Sequence, residues 1–453
     1  MNKQREQWGS RIGFLMAAAG SAIGLGSLWL FPYLVGEHGG GLFVLCYIFF
    51  TFIIALPIFI AEIIMGRSVQ RSPIFAFSEL SSHSKNWKMA GWIMVFTAFL
   101  ILSYYAVVAG WSLNYVLMSL SHFTAGKSSE QIASLFDVLY KSADLNVFWQ
   151  FLFVLLTVGV VYGGVQKGIE HWSKILTPLL FIFLIILVAY SATLDGFVEA
   201  IKFIFKPNFA TFKASSILAA LGMSFFTLSV GMGIIITYGS YMKSDEDVPK
   251  TSILVALMTV LVSILAAMMI FPIIFTYNLS PAEGPGLVFK TLPIVFEAMK
   301  GTLVLSTLFF VLLVFTAVTS SISLLEELVA SLMELLDWPR QKSVLVLGAA
   351  VFIVGIPSAL AGSGALFPDW KLLYGKDFFE TMSSLAPEWL LPMGGLFVSF
   401  FMGWKLDKNF RKTQFATGST MQALYPIWIF LLKWITPVAI FLIILKAAGV
   451  NVI

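Results

Sequence analysis

Residues 8–41 read WGSRIGFLMAAAGSAIGLGSLWLFPYLVGEHGGG, a stretch long and apolar enough to cross a bilayer, for which roughly 20 apolar residues suffice. Its middle, Gly20-Ser21-Ala22-Ile23-Gly24-Leu25-Gly26-Ser27, is nonetheless a poor helix. Each glycine costs about 1 kcal/mol relative to alanine, and the serines compete for backbone bonds. A span that comes apart at mid-depth bares N–H and C=O groups that lipid cannot satisfy. Such a break persists only where it lines a cavity for ions or a polar ligand. The Gly20-x-x-x-Gly24 spacing equally suits close packing of continuous helices. The stretch alone carries both readings.

Of the 453 residues, 59% are hydrophobic and 11% charged, with mean hydropathy +0.91. A soluble domain carries about 25% charge, so the chain reads as an all-α polytopic membrane protein whose first partner is the lipid bilayer. The formal charge of +4 belongs to loops and suggests no nucleic acid. The N-terminus, MNKQREQWGS, lacks a small-residue cleavage site, so the first span is read as an uncleaved part of the fold. A single cysteine, Cys46, excludes an internal disulfide and a cysteine metal cluster. The four histidines are scattered, and no nucleophile–base pair or metal-ligand set suggests an enzyme.

Hydropathy predicts about eleven spans, near 11–35, 41–66, 88–121, 147–163, 169–191, 214–240, 251–276, 301–335, 343–359, 378–404 and 420–446. With a cytoplasmic N-terminus, Arg5, Arg11, Arg67, Arg71, Arg340 and Arg411 all fall inside, as the positive-inside rule requires. The odd count then leaves the C-terminus outside the cell membrane. Span 2 contains Glu62, read either as a snorkelling carboxylate or as a buried acceptor for the broken first span. Span 3 places Tyr104 and Tyr105 deep in apolar sequence, where a hydroxyl needs a partner. In span 5, Gly168 and Pro178 suit a fixed kink or a reversible unwinding. The loop 122–146 reads as polar and extracellular, and 280–300 as a re-entrant hairpin.

Span 6 is a second interrupted helix. Its Gly222–Gly233 stretch, GMSFFTLSVGMG, repeats the small, hydroxyl and glycine pattern of span 1, five spans later. Paired interruptions in corresponding positions of two halves point to an inverted repeat with a binding site at its interface. Packing alone no longer explains both. Span 8 carries Thr316, Thr319, Ser320 and Ser323 on one helix face, where hydroxyl oxygens can replace water around a hard cation. Small-residue packing is the competing reading.

These residues resemble one family, the neurotransmitter:sodium symporters in their bacterial amino-acid branch. The likeness rests on R-x-x-W-x-x-R-x-G from Arg5, A-x-G-L-G from Ala22, F-P-Y from Phe31 and G-G-G-x-F from Gly39. It continues in G-x-x-K-G-I-E from Gly164, S-F-F-T-L-S from Ser224, G-P-G-L-x-F from Gly284 and T-S-S from Thr319. Transporters of this fold are themselves among the known cases of such paired interruptions.

The resemblance implies a 5+5 inverted repeat with helices 1 and 6 broken. Segment 1–10 would be cytoplasmic, 11–191 the first repeat, 192–213 an extracellular loop, 214–404 the second repeat, and 405–453 a cytoplasmic loop with span 11. It implies two sodium sites. One uses the carbonyl of Ala22 with Ser27, Thr227, Thr259 and the substrate carboxylate; the other uses carbonyls of Gly20, Ile23 and Thr316 with the hydroxyls of Thr319 and Ser320. Substrate is expected among Ala22, Gly24, Leu25, Gly26, Ile101, Tyr105, Phe226, Thr227, Ser229, Met232 and Leu324. Monoamine members carry an aspartate where this chain has Gly24, which argues for a zwitterionic amino acid. Met232 replaces a common phenylalanine and suits varied apolar shapes.

An inner gate is implied by Arg5 and Trp8 opposite Tyr241 and Glu334. Outside, Leu30 stands where an arginine is usual, so Glu380 lacks its partner and closure is expected to rest on Tyr105 and Phe226. Met223 and Ser263 around Tyr47 leave chloride dependence open. The expectation is a sodium-coupled importer of hydrophobic L-amino acids working by alternating access; the alternative is a transport-silent amino-acid sensor of the same fold. Neither reading assigns an oligomeric state.

Overall fold

A computed structural model describes residues 5–209, 212–279, 287–299 and 301–450. Among these there is no strand. Span 1 is Arg11–Ala22 followed by Gly26–Glu37, with the halves bent by 50°. Spans 2 to 5 are Gly41–Val69, Lys85–Leu120, Ala143–Tyr162 and Val165–Ser191. Span 6 combines Ala214–Thr227 with Ile234–Gly239. Spans 7 to 11 are Val248–Thr276, Thr302–Leu336, Arg340–Ser363, Phe378–Lys405 and Gln422–Ala447. The architecture is the broken-helix membrane fold expected, with spans 1–5 and 6–10 as its two halves.

Burial sorts the spans. The most apolar windows of spans 3 and 8 are 78% and 83% buried, against 28–39% for spans 4, 5, 9 and 11. The first pair is the scaffold; the others turn apolar side chains outward, which suits hydrocarbon and would be costly in water. Spans 3 and 8 pack along each other, and span 1 lies against spans 5, 7 and 8.

Both breaks have local causes. In span 1 the helix ends as Ile23 turns to φ −84°, ψ 75°, and the chain re-enters through a wide turn over Gly26–Leu30. In span 6 the link between the helices holds Ser229, Gly231 and Gly233 at φ 53°, 84° and 85°. Glycine takes this left-handed region freely, while a serine pays for it.

Three connections are more ordered than their polarity suggests. Segment 122–146 contains the helix Ser129–Lys141, whose first turn is capped by Ser128 and Gln131. Its Ile132 and Leu139 are buried, so an amphipathic stripe fastens it to the core. Segment 192–213 contains Phe197–Phe205, and within 280–300 there is a helix Leu292–Ala298. Residues 280–286 and 300, part of the expected re-entrant hairpin and of its G-P-G motif, lie outside the described residues, as do 1–4, 210–211 and 451–453. Span 5 is wound throughout, with Gly168 in a wide turn over Val165–Glu170 and Pro178 inside the following helix.

Candidate substrate and ion sites

The two breaks face each other across one narrow cavity of about 30 Å³. All eleven residues expected to meet substrate line it: Ala22, Gly24, Leu25, Gly26, Ile101, Tyr105, Phe226, Thr227, Ser229, Met232 and Leu324. So do Ser21, Ile234, Ser320 and Ser323. One end is polar. The Leu25 N–H donates to the Tyr105 hydroxyl at 3.4 Å, beside the N-terminus of the outer half-helix, where a dipole favours an anion. The other walls are the apolar side chains of Ile101, Phe226, Met232 and Leu324. This volume holds roughly one or two waters, so the walls must part to admit an amino acid. Phe226 is only partly buried, with its ring pressed against Gly26.

Ser21, missed in the sequence, is the seam between three spans. Its carbonyl accepts from Ser229 at 3.0 Å and from Ser320 at 3.3 Å, while its hydroxyl pairs with Ser323 at 2.7 Å. The signal was a serine inside the break facing the hydroxyl-rich stripe of span 8.

Around that seam lie the two expected oxygen sets. In the first, Ser27 Oγ is fully buried without a protein partner, an uncommon state for a polar atom. Thr227 donates to the Met223 carbonyl at 3.0 Å and Thr259 to the Val255 carbonyl at 2.9 Å. With each hydroxyl proton committed to its own helix, lone pairs are what these residues can offer a cation. In the second set Thr319 donates to the Thr316 carbonyl at 3.0 Å. A Cβ built on Gly20 would lie 3.1 Å from Thr319 Cβ and 2.8 Å from Thr177 Oγ1. Spans 1, 5 and 8 therefore converge there, and Thr177 joins the neighbourhood unannounced by the sequence. The protein oxygens of both sets are neutral, and no group of three or more His, Cys, Asp or Glu side chains able to hold a metal occurs among the described residues. That chemistry suits a monovalent hard ion better than calcium or magnesium, which draw on carboxylates.

A profile of the sodium:neurotransmitter symporter family matches residues 5–134 and 129–450. The chain belongs to that family. This symporter is 38% identical over 452 residues to a sodium-dependent transporter of Bacillus subtilis (strain 168), covering 99% of both chains. It is 32% identical to a sodium-dependent transporter of Haemophilus influenzae (strain ATCC 51907 / DSM 11121 / KW20 / Rd), covering 98% of both. Its fold matches the crystal structure of MhsT in complex with L-phenylalanine with TM-score 0.90 and 38% identity, over 98% of this chain and all of that one. It is a sodium-dependent multi-span membrane transporter and not an enzyme.

At the symporter's N-terminal face the expected gate residues meet. Arg5 ion-pairs with Glu334 and donates to Ser240 at 2.7 Å, and its guanidinium lies 4.7 Å from the Tyr241 ring centroid. Trp8 donates through its indole to the Tyr238 carbonyl at 3.0 Å and is 4% exposed. Behind them Arg340 grips Glu326 through two nitrogens at 2.6 and 2.9 Å and reaches Glu6 at 3.1 Å.

One expectation is corrected. Glu62 is buried, but it accepts from Gly231 N–H at 2.7 Å, in the break of span 6 instead of span 1, because span 2 packs against Ile234–Gly239. Glu380 is exposed and closes a capping box with Asp377, its N–H donating at 2.8 Å and its carboxylate accepting the Asp377 N–H at 3.0 Å. The Tyr47 hydroxyl donates to Thr227 and pairs with Ser263, each at 3.1 Å.

Proposed function

We propose that this symporter imports hydrophobic L-amino acids, driven by sodium and working by alternating access. Its N-terminus is placed in the cytoplasm and its C-terminus outside, since all six arginines then lie inside. The observation that carries the reading is the cavity's polarity. Backbone N–H groups at Leu25 and Gly26 with the Tyr105 hydroxyl make an end for a carboxylate, and Ile101, Phe226, Met232 and Leu324 make an end for an apolar side chain. Gly24 offers an amine no counter-charge, so a substrate without its own carboxylate would leave an uncompensated cation. MhsT, which shares the fold, was crystallised with L-phenylalanine.

Two sodium ions per zwitterion bring in two charges, each worth about 2.3 kcal/mol per 100 mV. The sum of about 4.6 kcal/mol supports roughly thousandfold accumulation before the sodium gradient is counted. The test is uptake of labelled leucine and tryptophan into proteoliposomes with and without an inward sodium gradient, for the native chain and Ser320→Ala. Sodium-dependent uptake that collapses in the variant supports symport and the second ion set. Uptake indifferent to sodium refutes the coupling, and binding without uptake makes the protein a sensor. Repeating the assay in gluconate instead of chloride decides whether the Tyr47–Thr227–Ser263 hydroxyl group takes part.

A further inference from the structure

Beneath the cavity lies a second polar cluster that neither the substrate nor the ion sets use. Glu62 and Glu327 are both 0% exposed. Both meet the break of span 6 from different spans. Glu62 Oε1 accepts from Gly231 N–H, and Glu327 Oε1 lies 2.4 Å from where a Cβ on Gly233 would be. Three of the four carboxyl oxygens, Glu62 Oε2 and both of Glu327, have no protein partner. The hydroxyls of Thr237 and Ser331 are likewise buried and unpartnered. They sit four residues beyond Gly233 and Glu327, on the same helix faces.

Neighbouring charges are committed elsewhere. Arg5 holds Glu334, and Arg340 holds Glu326 and Glu6. Arg67, on span 2, is bound to the carbonyls of Glu246 and Gln414. Arg71 pairs with Glu79 beside the helix Pro73–Leu80, and Arg11 with Glu246. Lys88 of span 3 lies over Phe75, Lys174 of span 5 pairs with Glu170, and Lys376 with Glu388 of span 10. Lys342 of span 9 lies over Trp338, and Lys250, with Asp247, stands at the start of span 7. Of the tyrosines on the inner half of span 6, Tyr241 donates to Glu326, and Tyr238 stands edge-on to Trp8. Tyr104 and Tyr105 stand at the cavity end of span 3, Tyr104 edge-on to Phe379 and Tyr105 on Leu25.

Two buried carboxylates that meet the same break without a counter-charge are costly to keep ionised together, because desolvation opposes each charge and like charge opposes the second. We propose that Glu62 and Glu327 form a buried proton-binding site, loaded while the N-terminal face is closed and exchanging its proton with the cytoplasm when that face opens. On opening, an O–H bond breaks, the carboxylate keeps the electron pair and water takes the proton; closing reverses the step. The route is present as successive turns of span 8. Glu327, Ser331 and Glu334 descend to the Arg5 ion pair, and the Ser72 N–H and hydroxyl already donate to Glu334. The proposal rests on the face opening and closing, whichever amino acid is carried.

The experiment uses the full chain in proteoliposomes, with external pH and sodium fixed and the lumen set between pH 6 and 8.5. Closing over the pair needs it protonated, so leucine uptake by the native chain falls as lumen pH rises, by about tenfold across the range. E62Q and E327Q, each removing one carboxylate, flatten the dependence while keeping sodium-dependent leucine binding, which also shows that they fold. A native profile without lumen-pH dependence overturns the proposal, as does one retained in both variants. Recovery of alkaline-lumen uptake by added lumen sodium also overturns it, by making the pair a cation site. A native chain that takes up no leucine fails the symport reading instead, and proton release on binding, read with a pH dye, then decides this one.

Discussion

The molecule closes its two faces by different chemistry. At the N-terminal face, closure is charged and specific. Arg5 reaches Glu334, Ser240 and the Tyr241 ring, and Arg340 ties Glu326 to Glu6. At the opposite face, closure is aromatic. Phe289, 1% exposed, contacts the rings of Trp29, Trp111, Tyr115, Phe136 and Phe310, drawing together spans 1, 3 and 8 and the helix Ser129–Lys141. Its ion pairs, Lys290–Asp137 and Lys376–Glu388, are rim contacts with side chains 35–52% exposed, and such pairs contribute little. The difference teaches that a face can be held by a few oriented charges or by many weak ring contacts. Single substitutions should hurt the first far more than the second.

The largest effect is expected from Arg5→Ala. Removing one partner of a fully buried ion pair costs about 3–5 kcal/mol; the partial exposure of Arg5 and the bonds from Ser72 to Glu334 place the change at or below the lower end. That shifts the N-terminal face toward open by roughly two orders of magnitude. The measurement is labelling of a cysteine introduced at Ser240 of a variant lacking Cys46, applied from the inside of vesicles. Unchanged labelling would remove the asymmetry argued here. Phe289→Ala should act in the same sense on the other face but less, by about 1–2 kcal/mol. Opening breaks only one or two of its ring contacts, and each is worth about 0.5–1.5 kcal/mol. External labelling of a cysteine at Ile101 reads it. The smallest effect is expected from Leu30→Arg, which supplies the cation that family members place there. Glu380 is exposed and engaged in its own cap, so the new pair should change external labelling by less than about 1 kcal/mol. A larger response would mean that the outer face can be closed by charge after all.

Much of this was legible in the chain. Apolar runs of span length and the two glycine–serine interruptions announced the fold, and the hydroxyl stripe of span 8 pointed at the ion sets. What the residues could not reveal was pairing across space. The depth of Glu62 left snorkelling and burial both open, and it could not say which break a buried carboxylate would serve, since spans 1 and 6 both offer bare N–H groups. In the run Glu326-Glu327 nothing in the sequence says that one carboxylate holds Arg340 while its neighbour holds none. Around Glu380 a local signal went unread: Asp377-Phe378-Phe379-Glu380 carries the spacing of the capping box that the structure shows.

The inner half of span 6 meets span 2 without an intervening layer of side chains. A Cβ on Gly66 would fall 1.9 Å from the Ile236 carbonyl oxygen, and one on Gly239 would fall 2.8 Å from that of Ile63. Side-chain layers absorb displacement by changing rotamers; touching backbones have no such compliance. The six residues Ile234–Gly239, too short to be stiff alone, are splinted by a 29-residue neighbour. Mechanically the two are one beam, and a load applied at either end of span 2 is felt at the broken joint.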